Sequence, residues 1–67
     1  MIDCPLRQSD LSILREFANG YTADQISSKL GISKHTIIDI ARKMRNKVYA
    51  CNITHLVAMA LREGWIK

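Results

Sequence analysis

The sequence is poor in residues that interrupt regular structure, with one proline and three glycines among 67 residues. It contains no repeat, no low-complexity segment and no stretch typical of an internal linker. A chain of this length makes one domain, near the lower size limit for a hydrophobic core without disulfide or metal staples. Because 48% of the residues are hydrophobic, we expect residues 1–67 to form a single folded domain rather than a disordered chain.

Signals for membranes, secretion and metal binding are also lacking. No apolar run is long enough to span a bilayer, and the N-terminus lacks the basic start and apolar run of a signal peptide. The two cysteines, Cys4 and Cys51, lack metal-ligand spacing, and neither histidine lies near them in a ligand pattern. We therefore expect free thiols, no metal, no other cofactor and a cytoplasmic location.

No arrangement typical of catalysis is present. The sequence offers no nucleophile–base pair, no paired carboxylates and no glycine-rich loop that cradles phosphate. His35 and His55 fall on different predicted helices, where a surface position is the default for both. His55 can in addition make a pH-sensitive contact in a dimer. An enzyme is not expected.

The apolar spacing predicts an all-α fold, a four-helix bundle, with no strand-like alternation. The four helices are expected at about residues 8–19, 22–30, 33–49 and 53–63. Arg7 or Ser9 is the expected start of the first helix, and Asn52 or Thr54 that of the fourth. The second begins with a capping-box pattern at Thr22, and Ser33 caps the third. Three glycines suit the turns after helices, where a residue must turn left-handed: Gly20, Gly31 and Gly64.

Apolar residues at helical spacing predict one core shared by the four helices. Those expected to face inward are Leu11, Leu14, Phe17 and Ala18 in the first helix, Ile26 and Leu30 in the second, Ile37, Ile40, Ala41, Met44 and Val48 in the third, and Ile53, Leu56, Val57, Ala60 and Leu61 in the fourth. Trp65 and Ile66 are expected to fold back onto this core.

The net charge of +4 is concentrated on one predicted helix. Residues 34–47 contain five basic side chains and one acidic one, whereas the residues before them sum to −1 and those after to +1. A small domain with its charge on one helix is suited to bind a polyanion, and double-stranded DNA is the first candidate. A short helix, a glycine turn and a longer basic helix also match the helix-turn-helix arrangement. A basic face that serves only solubility is the alternative.

The outward side of the third helix contains an isoleucine among charged residues. One interpretation of Ile38 is a surface residue at the edge of the core. The favoured interpretation is a contact with a thymine methyl group in the major groove. Arg42 lies one turn further along the same line and can reach guanine O6 and N7 with its two-pronged head.

Asp39 is unusual on a helix that faces DNA, because a carboxylate repels phosphate. It is explained by a hydrogen bond from cytosine N4 or by pairing with Arg42 or Lys43 along the helix, and the pairing is slightly favoured. Lys34 and His35 occupy the first turn, where backbone N–H groups also favour a phosphate.

Three segments together resemble the DNA-binding domain of the LuxR/GerE (NarL-like) family of bacterial transcription regulators. Residues 22–37, T-A-D-Q-I-S-S-K-L-G-I-S-K-H-T-I, resemble the family's S-N-K-E-I-A-x-x-L-x-I-S-x-x-T-V. Residues 44–48 resemble its I-x-x-K-L. Residues 52–66, N-I-T-H-L-V-A-M-A-L-R-E-G-W-I, resemble its N-R-T-E-A-V-x-x-A-x-x-x-G-L-I. The resemblance covers nearly the whole chain from Leu6 onward.

The resemblance implies a four-helix bundle whose third helix reads DNA. Base contacts are implied for the positions of Ile38, Asp39 and Arg42. Phosphate contacts are implied for the positions of Thr22, Thr36 and Lys47. With Lys34, His35 and Lys43 on the charged helix, they make up the predicted set of phosphate-contacting residues. In the family the fourth helix pairs with its twin, which implies a homodimer. Its outward residues here are Cys51, His55, Ala58, Met59 and Arg62, for which a plain solvated face is the alternative.

The sequence departs from the family pattern at four places. The early T-x-R-E is residues 7–10, R-Q-S-D, and the Asn-Lys pair of the second helix is Ala23-Asp24, which loses a phosphate ligand and adds a repelling charge. The usual histidine of the third helix is Ile40, and the usual arginine before the fourth-helix threonine is Ile53. These changes predict a target sequence that differs from the family's usual one and, to a lesser degree, weaker DNA binding.

Two functions therefore stay open. The leading hypothesis is a sequence-specific, homodimeric DNA-binding transcription regulator. The alternative is a small protein-interaction module that pairs through its fourth helix with a larger LuxR-type regulator and modulates it. The chain shows no receiver or ligand-binding domain, and Met1 favours a stand-alone small regulator over an excised domain.

Overall fold

The computed structural model describes residues 4–67, and in that range it contains four helices and no strand. The helices are α1 (Gln8–Ala18), α2 (Ala23–Leu30), α3 (Lys34–Val48) and α4 (Ile53–Glu63). The predicted all-α fold is confirmed, and the predicted ranges differ only by including cap residues at some ends. No helix in the described range combines the length and apolarity needed to cross a membrane. Met1, on which the stand-alone expectation depends, lies outside the described residues.

Side-chain caps fix the starts of α2 and α3. The Thr22 N–H donates to Gln25 Oε1 at 2.8 Å, and the Gln25 N–H donates to Thr22 Oγ1 at 3.3 Å, which completes the predicted capping box. The Thr36 N–H donates to Ser33 Oγ at 3.1 Å. Each such cap stabilises a helix by about 1 kcal/mol, so these local bonds fix where α2 and α3 begin.

For both α1 and α4, the structure shows which of the two predicted residues precedes the helix. Arg7, rather than Ser9, precedes α1, and its N–H donates to Asp10 Oδ2 at 3.4 Å. Asn52, rather than Thr54, caps α4, because its Oδ1 accepts the His55 N–H at 2.8 Å. The N-cap residues of these two helices, Arg7 and Asn52, both have an extended backbone conformation.

The end of α3 has an unusual cap. Gly31 and Gly64 end α2 and α4 in the left-handed conformation, as their type allows. Tyr49 has the same role at the end of α3, with φ of 60°, although left-handed backbone costs a residue with a Cβ about 1–2 kcal/mol. Its ring is 90% exposed, and the Ala50 N–H donates to the Arg45 carbonyl at 2.9 Å to close the helix.

A salt bridge joins α2 to α1 on the surface. Lys29 Nζ lies 3.0 Å from Glu16 Oε2 and 4.8 Å from the centroid of the Tyr21 ring. The hydrogen bond to Glu16 raises the pKa of Lys29. Because the Lys29 side chain is half exposed, this contact contributes little to stability.

One hydrophobic cluster joins all four helices. Its buried members are Leu6, Leu11, Ile13, Leu14, Ile26, Ile37, Met44, Leu56, Ala60 and Ile66. Ile37, Ala41 and Met44 anchor the inner side of α3 in this core. Ile66 and the half-buried Trp65 fold back as predicted. The opposite side of α3 consequently faces solvent.

The prediction of burial is wrong for three residues. Leu30 and Leu61 are 38% and 50% exposed, and Ala18 is also exposed. Each lies in the last turn of its helix, on a side that faces solvent. Ile13, which the predicted stripe omitted, is 3% exposed, because α1 packs along the Leu11, Ile13 and Leu14 side.

Candidate nucleic-acid interface

The outward side of α3 presents the predicted base-contacting residues to solvent. Ile38 is 49% exposed, and the Arg42 side chain is 63% exposed. Neither is covered by the fold, because Ile37 and Ala41 on the opposite side hold the helix against the core. This exposed surface is therefore free to approach a large ligand.

Asp39 pairs with two cations on the same helix. The Arg42 Nη2 group bonds to Asp39 Oδ1, and Lys43 Nζ lies 3.1 Å from Asp39 Oδ2. The hydrogen bond from Lys43, followed by that from Arg42, holds the pKa of Asp39 below its ordinary value. The small stabilisation from these bridges is present above the ordinary carboxyl pKa and is lost as the pH falls through the lowered one. In the free protein, Asp39 thus holds the guanidinium of Arg42 in place.

The N-terminal end of α3 is linked to the start of α2. Lys34 Nζ lies 3.3 Å from Asp24 Oδ2. Asp24, which departs from the family pattern, thus forms a salt bridge with a residue that was predicted to contact phosphate. This pair is exposed and its strength is correspondingly low. The Thr22 hydroxyl is engaged as a cap, while the Thr36 hydroxyl lies 2.8 Å from that of Ser33. His35 is exposed in the same turn.

At its other end, α3 forms a cleft with the start of α1. This α1–α3 cleft has a volume of about 330 Å³ and is lined by Arg7, Asp10, Lys43, Met44 and Lys47. Two predicted phosphate ligands, Lys43 and Lys47, thus line one concave site. Arg7 was not predicted as a site residue. The sequence feature that could have identified it is a basic residue at the start of α1, where the family pattern has threonine.

The outward residues of α4 lie on the surface to different degrees. Cys51, which was predicted on this helix, lies two residues before it and is exposed, as is Arg62. His55, Ala58 and Met59 are half-buried. Cys51 and His55 are in contact, because the Cys51 N–H donates to His55 Nδ1 at 2.9 Å. Both Cys4 and Cys51 are free thiols.

The α2–turn–α3 unit with a basic, exposed second helix defines a helix-turn-helix module. Residues 5–60 match the family model GerE, described as bacterial regulatory proteins of the luxR family, and the chain belongs to this family. This match confirms the family resemblance predicted from the sequence. The family consists of DNA-binding regulators. No curated protein matches the chain.

Proposed function

We propose that this protein is a sequence-specific transcription regulator that reads the major groove of DNA with α3. The observation that carries this proposal is the exposed side of α3, with Ile38 and Arg42 uncovered above a buried inner side. With 15 residues, α3 is about 22 Å long, and an α-helix fits within the width of the major groove.

Three side chains contact bases in this proposal. Ile38 packs on a thymine methyl group, and Arg42 donates to guanine O6 and N7. Asp39 orients Arg42 and accepts a hydrogen bond from cytosine N4. Each oxygen of Asp39 has one cation partner and keeps a second lone pair, which supports this double role.

Phosphate contacts flank the base contacts along the helix axis. Those near the turn come from Thr22, Lys34, His35 and Thr36, and those toward the other end come from Lys43 and Lys47. The exposed Lys34–Asp24 bridge is weak enough to open when a phosphate competes for the ammonium group. The two groups would fix α3 in the groove without reading sequence.

Truncating the proposed guanine-reading residue provides the direct test. Arg42→Ala is expected to cost about 1–3 kcal/mol on a duplex selected by the wild type and to relax the preference at one base pair. Binding to the selected duplex and to its single-base-pair variants would be measured by gel shift.

Arg45→Ala is the matched control, because it removes the same charge from the same helix at a position with no proposed base contact. If Arg42→Ala binds the selected duplex as tightly as the wild type, with the same base preference, the assignment of Arg42 is wrong. Loss of preference in both variants would indicate a general effect of charge.

We also propose that two copies pair through α4. The proposed interface residues are Cys51, His55, Ala58, Met59 and Arg62. Half-burial of the small Ala58 and the adaptable Met59 supports this, and a 7.6 kDa chain gains core area by pairing. Two recognition helices would then meet half-sites about one helical turn apart.

Placing a charge in the proposed interface tests dimerisation. Met59→Glu is expected to give a folded monomer of 7.6 kDa, whereas the wild type is expected to sediment at twice that mass. Leu61→Glu adds the same charge to α4 at an exposed position outside the interface and should leave the dimer intact. Equal masses for the wild type and both variants would contradict the proposed interface.

The internal ion pairs favour a second candidate function. Asp24 and Asp39 together pair with Lys34, Arg42 and Lys43, which lowers the effective charge of the DNA-facing side. That observation favours a protein-interaction module that pairs through α4 with a larger LuxR-type regulator. If no duplex from a random pool is retained while such a regulator is captured, and Met59→Glu abolishes the capture, this second function is supported instead.

A further inference from the structure

We infer that the α1–α3 cleft holds a backbone phosphate of duplex DNA between Arg7 and Lys47, and this inference rests on the proposed function. Arg7 is the new element, because none of the proposed DNA contacts described above lies on or before α1. The cleft has a volume of about 330 Å³, roughly ten times the ~30 Å³ that a water molecule occupies in the liquid. A tetrahedral phosphate group therefore fits within it.

The charges that line the cleft favour an anion. Three cations and one carboxylate give the lining a net charge of +2. Lys43 directs its ammonium to Asp39, and Asp10 accepts the backbone N–H of Arg7. Within residues 4–67, the side chains of Arg7 and Lys47 form no ion pair. Two cations thus face the same cavity from different helices without a charged partner in that part of the chain.

The position of the cleft favours a phosphate that belongs to DNA. Lys43 and Lys47 line the cleft and also follow Arg42 along α3. A duplex seated along the exposed side of α3 would therefore bring its backbone to the mouth of the cleft. The planar guanidinium of Arg7 can donate two parallel hydrogen bonds to one phosphate, which an ammonium group cannot.

The cleft also explains how a departure from the family pattern can serve binding. Arg7 replaces the threonine of the T-x-R-E pattern, yet α1 still begins there, because Asp10 accepts the Arg7 N–H. The guanidinium is consequently not needed to cap the helix. It is available for an external ligand.

Arg7→Gln tests this assignment on a mixed-sequence duplex followed by fluorescence anisotropy between 50 and 200 mM salt. The expected result is a salt slope of log K that is smaller by about 0.9 per subunit, since one fewer cation pairs with the DNA backbone. Arg15→Gln is the matched control, because Arg15 is exposed on the same helix but does not line the cleft. It should keep the wild-type slope. Arg7→Lys should keep the slope but bind less tightly than the wild type.

Equal slopes for Arg7→Gln and Arg15→Gln, with the wild type bound to DNA, overturn the phosphate clamp and leave the proposed function standing. A wild type that binds no duplex at any salt concentration overturns both. If inorganic phosphate, followed by amide chemical shifts, binds at Arg7 while the DNA slope is unchanged, the cleft is a site for free phosphate instead. Far-UV circular dichroism of all variants verifies that α1 remains folded.

Discussion

Raising the salt concentration from 50 to 200 mM is expected to weaken duplex binding by the wild type about 10³-fold. The three lysines of the proposed interface, Lys34, Lys43 and Lys47, would neutralise three phosphates per subunit, or about six in a dimer. A phosphate contact from Arg7 would steepen the slope given below by about 0.9 per subunit. Each neutralised phosphate releases condensed counterions and contributes about −0.9 to the slope of log K against log salt. The expected slope for a bound dimer is therefore about −5, measured by anisotropy on a duplex of selected sequence.

The same measurement separates a dimer from a monomer. A single subunit would show a slope of about −2.7 and lose only about 40-fold over this range. Met59→Glu should move the slope toward that value, whereas Leu61→Glu should not. A wild-type slope near zero would mean that these lysines neutralise no phosphate, and the proposed interface would then be wrong.

Ile37→Ala is expected to cost about 2–5 kcal/mol of the free energy of unfolding. Ile37 is fully buried and belongs to the cluster that joins all four helices. A chain of 67 residues has a total stability of about 3–10 kcal/mol, so this one change removes a large part of it. In urea, the midpoint should fall by about 2 M or more, if the slope is near 1 kcal/mol/M.

The neighbouring isoleucine supplies the control. Ile38→Ala makes the same chemical change at a position that is 49% exposed, and its stability should change by less than about 0.5 kcal/mol. Ile38→Ala should instead lose preference for one thymine on the selected duplex. If Ile38→Ala destabilises the fold as much as Ile37→Ala, then Ile38 belongs to the core and the proposed thymine contact is lost.

Local signals predicted the helices well because their causes are local. Thr22, Ser33 and Asn52 each cap a helix through a residue three positions away, so a short window contains the whole interaction. Burial was predicted less well at helix ends. Leu61 is 50% exposed although the adjacent Ala60 is fully buried, so its exposure depends on how far the packed side of α4 extends around the helix. Helical periodicity alone does not give that width.

The candidate site shows the same division between local and distant contacts. The pairing of Asp39 with Arg42 or Lys43 was foreseeable from their spacing of three and four residues, and the structure forms both bonds at once. The contact of Lys34 with Asp24 crosses a turn. The approach of Arg7 to α3 spans more than half of the chain, and only the packing of α1 against α3 reveals it.

The bridge between Asp39 and Arg42 has a consequence for how the protein would search a genome. On a random sequence, the carboxylate would retain the guanidinium, and the proposed complex would depend on phosphate contacts alone, which permits sliding along the duplex. Only a guanine at the matching step would offer two acceptors to the guanidinium that Asp39 orients. Asp39 would thereby keep non-cognate encounters brief and reserve long residence for the operator.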